Sequence, residues 1–142
     1  MFNKNEFLKD LQNFVKRAFD KDLISLVIFG SFAKGLYTAS SDIDILIILN
    51  KKPEYSDYEK FFSKVEDKLN KKYGLIKLSP ILRDKKTISE KTAFLWDDKF
   101  IVLFDKGKFF ERIKDKIKEL KSKGKIIYKR FPIPHYIFNF ND

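Results

Sequence analysis

Leu23-Ile24-Ser25-Leu26-Val27-Ile28-Phe29-Gly30-Ser31, followed after a polar stretch by Asp42-Ile43-Asp44-Ile45-Leu46-Ile47-Ile48-Leu49, decides how this chain folds. The first run is apolar and β-branched without alternation, the pattern of a strand covered on both faces, and it ends at Gly30. Ser31 to Leu36 reads as a brief helical turn closed by Gly35, and Thr38-Ala39-Ser40-Ser41 as a polar loop. The second strand spans 43–49. Period two places Ile43, Ile45, Ile47 and Leu49 on one face, and Asp42, Asp44, Leu46 and Ile48 on the other, so both aspartates point the same way.

Each part of this stretch has a physical use. Glycine lets a backbone approach a phosphate closely and adopt dihedrals closed to other residues. The amides of the turn and the Ser31 hydroxyl supply donors for anionic oxygens, so Gly30 and Ser31 form a cradle for a triphosphate. Two carboxylates at i and i+2 of a strand repel each other unless a hard cation sits between them, and magnesium resolves that conflict.

The segment GSFAKGLYTASSDIDILIIL, residues 30–49, resembles the GSx10DxD signature of the minimal nucleotidyltransferases (MNT) of the DNA polymerase β superfamily. The signature with its flanking strands covers residues 23–49, and the order of elements extends the similarity to about Leu82. The resemblance implies an α/β nucleotidyltransferase fold: a small mixed β-sheet with flanking helices and a short C-terminal helical extension. It implies that Gly30 and Ser31 bind the nucleotide and that Asp42 and Asp44 are the catalytic, metal-binding carboxylates for Mg2+. The reaction implied is transfer of a nucleoside monophosphate, AMP from ATP, to a protein or other hydroxyl acceptor, with pyrophosphate leaving. Lys34 occupies a basic position in the turn, in reach of phosphate. Freestanding MNT proteins of this size resemble the antitoxin half of a two-component module whose partner is a small helical HEPN toxin. A homo-oligomer is the alternative route to a complete cleft.

One departure stands out. The family carries a third carboxylate on the strand after the second long helix, whereas Leu75 to Leu82 contains no acid, and Ser79 or Lys77 stands where an Asp is expected. A hydroxyl replaces a carboxylate neither as base nor as hard ligand. Either one metal suffices, or another acid such as Asp84 reaches in, or the chain is a catalytically degenerate binding module for a partner protein or nucleic acid.

Working outward, the apolar spacing from Phe7 to Phe19 predicts a helix over 5–20 behind an Asn3-x-x-Glu6 capping box. Ser56-x-x-Glu59 predicts a second box, opening a helix with the stripe Tyr58, Phe61, Phe62, Val65 and Leu69 that stops at Gly74. A third strand over 75–82 contains Pro80, which lacks an amide donor and prefers an edge. Thr87-x-x-Glu90 predicts a short helix through Trp96. Phe100 to Phe104 reads as a strand, and Phe109 to Leu120 as a last helix ending near Gly124. The aromatic remainder, with two prolines, reads as an irregular or extended tail whose rings pack on the domain or form an interface. His135 within it reads as a surface or packing residue.

The chain has 142 residues with sixteen Phe and 44% hydrophobic residues, enough to close one core without staples. It has no Cys, which excludes a disulfide scaffold, a thiolate metal site and a Cys nucleophile. No repeat or linker divides it, so it reads as a single domain, with a core over about 5–105 and a basic helix and aromatic tail over 106–142. No apolar run approaches the ~20 residues of a membrane span, and no signal-like segment follows Met1, which predicts a soluble cytoplasmic protein without a membrane partner. Lys and Arg exceed Asp and Glu by 30 to 20, a net charge of +10, and between Lys106 and Arg130 eleven basic residues face three acids. That segment is expected to bind an acidic partner, or nucleic acid weakly and without sequence preference.

Overall fold

The computed structural model describes residues 3–36, 41–97 and 99–139. The polar loop expected over Thr38 to Ser41 therefore lies largely outside the described residues. Helix α1 (Lys4–Phe19) opens on Asn3, whose side chain accepts the Glu6 amide at 3.1 Å, and buries Phe7, Leu11, Val15 and Phe19. Strand β1 (Leu23–Phe29) leads into the single-turn α2 (Gly30–Ala33), and β2 (Ile43–Leu49) returns antiparallel to β1.

A long helix then crosses over in three pieces: α3 (Tyr55–Phe61), a π-helical turn over Phe62–Glu66, and α4 (Asp67–Tyr73). It carries the chain to β3 (Leu78–Asp84), which pairs parallel with β2. Strand β4 (Ile101–Asp105) runs antiparallel to β1 on its other side, giving a four-stranded mixed sheet of order β3-β2-β1-β4. Helix α5 (Phe109–Ser122) follows, and β5 (Ile126–Lys129) and β6 (His135–Phe138) close a separate hairpin.

The alternation expected of β2 divides the interior in two. Ile43, Ile45, Ile47 and Leu49 join α1 and the α3–α4 helix in one core. Leu46 and Ile48 join Trp96, α5 and Ile126 in another on the opposite face, so the sheet is covered on both sides. One carboxylate fixes α5 to that second face. Asp105, the last residue of β4, accepts the Phe110 amide at 2.8 Å and the Glu111 amide at 3.0 Å, capping the first turn of α5. It also accepts the hydroxyl of the fully buried Ser25 on β1 at 2.7 Å.

Several local expectations are corrected. The box at the second long helix is made by Glu54 and Asp57, not Ser56 and Glu59. Asp57 is 1% exposed; it accepts the Glu54 amide at 2.8 Å and pairs with Lys51 at 2.9 Å, anchoring the helix start two residues earlier. Phe62 is exposed because the π turn widens the helix, leaving Phe61, Val65 and Leu69, spaced by four, to carry the buried stripe. Strand β3 starts at Leu78 rather than Leu75. Leu75 is 99% exposed, and Asn70 and Glu66 take the Ile76 and Leu78 amides that a longer strand would use. Pro80 does lie on an edge strand.

Between β3 and β4 no α-helix forms among the described residues. The Thr87 hydroxyl turns back to donate to the Asp84 carbonyl at 2.9 Å, and Ser89 and Thr92 cap each other, leaving 3-10 turns at Lys85–Thr87 and Ala93–Leu95. The tail takes the extended of the two expected forms, as a hairpin whose Tyr136 and Phe138 pack on the second core while Tyr128, Phe131 and Ile133 stay exposed.

Replacing Asp105 by Ala removes two capping bonds and leaves the Ser25 hydroxyl buried without its acceptor, so urea denaturation should register a loss of about 3 kcal/mol. Ser25→Ala, which deletes one neutral donor while the cap survives, should cost only about 1 kcal/mol.

Candidate functional site

The antiparallel register of β1 with β2 sets Phe29 opposite Asp44. The chain therefore leaves β1 through Gly30 directly beside the Asp44 side chain. Gly30 has φ +73, and a Cβ on it would lie 2.2 Å from Asp44 Oδ2 and 3.1 Å from its Cγ. No side chain larger than hydrogen fits while Asp44 keeps its position, and the positive φ independently favours glycine. Ser31 follows in α2, whose first amides have no acceptor within the helix. Leu36 donates back to the Ser31 carbonyl at 2.9 Å, which closes the turn.

Asp44 is half-buried and Asp42, just before β2, is exposed. Burial pushes the Asp44 carboxyl up from the usual carboxylate range, and the charge of Asp42 pushes it further in the same direction. Both effects disfavour a second negative charge here. A hard divalent cation would reverse both, and Asp42 and Asp44 are the side chains that would hold it. No group of three or more His, Cys, Asp or Glu side chains assembles for a metal among the described residues.

The structure thus brings Gly30, Ser31, Asp42 and Asp44 together at one end of the sheet, on the face of the second core. It does not bring Asp84. Ser79 registers with Asp44 on the neighbouring strand, while Asp84 registers with Leu49, five residues along and of opposite facing, about 17 Å away at ~3.3 Å per residue. The Asp84 carboxylate is engaged there, accepting the Lys86 amide at 3.1 Å.

Lys34, expected near phosphate, instead forms an ion pair with Asp97. This contact, with a non-local partner that spacing did not reveal, ties the turn after Ser31 to the loop following Trp96 and raises the pKa of the Lys34 ammonium. Beside it the Phe29 ring lies 5.5 Å from that of Phe94. Trp96 is core, its indole N–H donating to the Glu90 carbonyl at 2.8 Å. His135 opens β6, its Nδ1 2.6 Å from the Ile133 carbonyl oxygen.

Residues 8–106 match the family model described as nucleotidyltransferase domain. The chain belongs to the nucleotidyltransferase domain family. Two relatives from Methanocaldococcus jannaschii bear the name "putative protein adenylyltransferase". One is 36% identical over 63% of this chain and 82% of its own length; the other is 32% identical over 82% and 85%. Among solved structures, a toxin-antitoxin complex with AMP-PNP contains a chain of the same fold, with a TM-score of 0.52 at 19% identity over 87% of this chain and 90% of that one. The MntA-HepT toxin-antitoxin structure gives 0.51 at 15% identity over 86% and 90%. The four-stranded mixed sheet and flanking helices are those of the nucleotidyltransferase fold. No helix among the described residues is long and apolar enough to cross a membrane.

Gly30→Ala should remain folded, at a cost of about 1–2 kcal/mol from the backbone alone, and should displace the Asp44 carboxylate. Calorimetry should then show Mg2+-dependent nucleotide affinity falling by at least about tenfold. Because the Asp44 pKa is raised in the fold, its contribution to stability is fully present at low pH and is lost as pH rises through and just above the usual carboxylate range. Asp44→Asn should remove that decline and, in metal-free buffer at neutral pH, raise the melting temperature. An unchanged or lower melting temperature would contradict the strained pair.

Proposed function

We propose that this nucleotidyltransferase moves AMP from ATP to a hydroxyl group of a partner protein, with Mg2+ held by Asp42 and Asp44 and the triphosphate held at Gly30 and Ser31. The observation that carries the reading is the contact of Gly30 with Asp44. It brings an open backbone turn and a strained carboxylate pair within a few ångströms, the arrangement that a metal-bound triphosphate relieves. The adenylyltransferase names of the relatives and the AMP-PNP of the structural neighbour support adenine as the base and a protein as acceptor. The fold neighbours, being toxin-antitoxin complexes, support a toxin of the HEPN kind as the partner and an antitoxin role for this chain.

In this reading the amides and hydroxyl of the turn fix the β and γ phosphates, while the carboxylates face the α phosphate. When bound, the cation neutralises phosphate charge and polarises the oxygens of the reacting phosphorus. The acceptor oxygen bonds to the α phosphorus, and the bond to the bridging oxygen breaks, releasing pyrophosphate. Gly30 and Asp44 keep the two halves of the site in register, which is worth most for a reaction that depends on alignment. The acceptor proton leaves to water or to an acid on the partner, since Ser79 offers no base beside Asp44. That same neutral position favours a second reading, nucleotide binding without turnover, in which the chain acts by docking alone.

Incubation with ATP labelled at the α phosphate, Mg2+ and a co-expressed partner separates the two. Label on the partner supports transfer; saturable Mg-ATP binding without label supports docking. Asp42→Asn with Asp44→Asn should cut transfer by at least about 10²-fold. Ser31→Ala should weaken ATP by about 1.5–3 kcal/mol, the size of one hydrogen bond to a charged group. Ser79→Asp should raise transfer, with about 10²–10⁴-fold as the ceiling for an added base, and should make the protein less stable without Mg2+ and recover when it is added.

A further inference from the structure

Between α5 and the loop after Trp96 lies a cleft of about 430 Å3, on the same sheet face as Asp44. Its floor is apolar, formed by Phe100 and Ile117. One wall is Lys114, Lys118 and Lys121, whose spacing of four and three aligns them along one side of α5. The other wall is Asp97, the residue paired with Lys34 on the turn that carries Ser31. The cleft is therefore joined to the nucleotide turn by a direct side-chain contact. Lys114 shares its charge with Glu111 at 3.4 Å, and Lys121 lies 5.0 Å over the Tyr136 ring, whereas Lys118 has no ion pair among the described residues.

We propose that this cleft is the docking groove for the acceptor, a polypeptide segment carrying acidic side chains around an apolar one, which lays its acids along the lysine wall and its apolar residue on Phe100 and Ile117. The proposal rests on the adenylyltransferase reading and names the surface that reading needs. Charge complementarity selects the occupant. A second copy of this chain, at net +10, is repelled from an already basic helix. Nucleic acid suits the lysines but would find a single ring on the floor, that of Phe100, and not the succession of aromatic faces on which bases stack. An acidic peptide satisfies wall and floor together, and the Lys34–Asp97 pair links its groove to the turn that carries Ser31.

The test uses short synthetic peptides, each with one Tyr and one Leu flanked by Glu, by Gln or by Lys, titrated into the full chain by fluorescence anisotropy. Wild type should bind the Glu peptide at least about tenfold more tightly than the Gln peptide, a gap that narrows between about 50 and 300 mM salt. The triple variant Lys114→Glu/Lys118→Glu/Lys121→Glu should reverse the preference toward the Lys peptide. The gentler Lys114→Gln/Lys118→Gln/Lys121→Gln should abolish it, and serves if the reversal unfolds. Calorimetry with Mg-ATP should give wild-type affinity in both, so that loss of peptide binding is separated from any failure of the nucleotide site. Equal binding of Glu and Gln peptides by wild type, or a Glu preference that survives both variants, overturns the proposal. So does a single-stranded RNA that outcompetes the Glu peptide and is lost with the lysines, because it assigns the groove to nucleic acid.

Discussion

The site depends on a missing side chain. Gly30 and Asp44 are so close that only hydrogen fits between backbone and carboxylate, and this closeness follows from the antiparallel register of β1 and β2 rather than from any contact within the turn. Register in a sheet buried on both faces is set by its apolar pattern, since a slip of one residue would carry Ile43, Ile45 and Ile47 out of one core and both aspartates into it. The two cores therefore hold the proposed phosphate turn against the proposed metal pair, and the repulsion within that pair is a cost the packing sustains.

The second core has a further task. It seats α5 across the face that the carboxylates share, and Asp105 locks the helix there by joining β1, β4 and the first turn of α5 through one side chain. Lys114, Lys118 and Lys121 are thereby aligned along one cleft with Asp97, the partner of Lys34 on the turn after Ser31. Electrostatics of this kind acts on encounter and orientation more than on the fold.

Much of this was legible in the sequence. Strands β1 and β2 were readable to the residue because unbroken β-branched runs have few alternatives, and the facing of Asp42 and Asp44 followed from a period of two. Gly30 and Ser31 were recognisable from the spacing of their signature. What was hidden came from tertiary competition. Thr87 and Glu90 have the spacing of a capping box, but the Thr87 hydroxyl is engaged behind it, accepting from Arg83 Nε and donating to the Asp84 carbonyl. Asp57 displaces the Ser56 box because Lys51 neutralises it in a buried position. The sequence marks the tail as irregular or extended but hides its pairing, because its strands are four residues each and separated by a proline-rich turn. The Lys34–Asp97 pair spans residues that no local pattern connects.

Ser79 is half-buried on the outermost strand, opposite Asp44, with its other edge unpaired. A position of this kind carries little packing duty, unlike Ile45 or Ile47 one strand inward. An acid there can be acquired or surrendered in a single substitution without rearranging either core. The scaffold thus leaves the number of carboxylates open to change while the proposed phosphate turn stays fixed by register, and such a change would alter chemistry without altering shape.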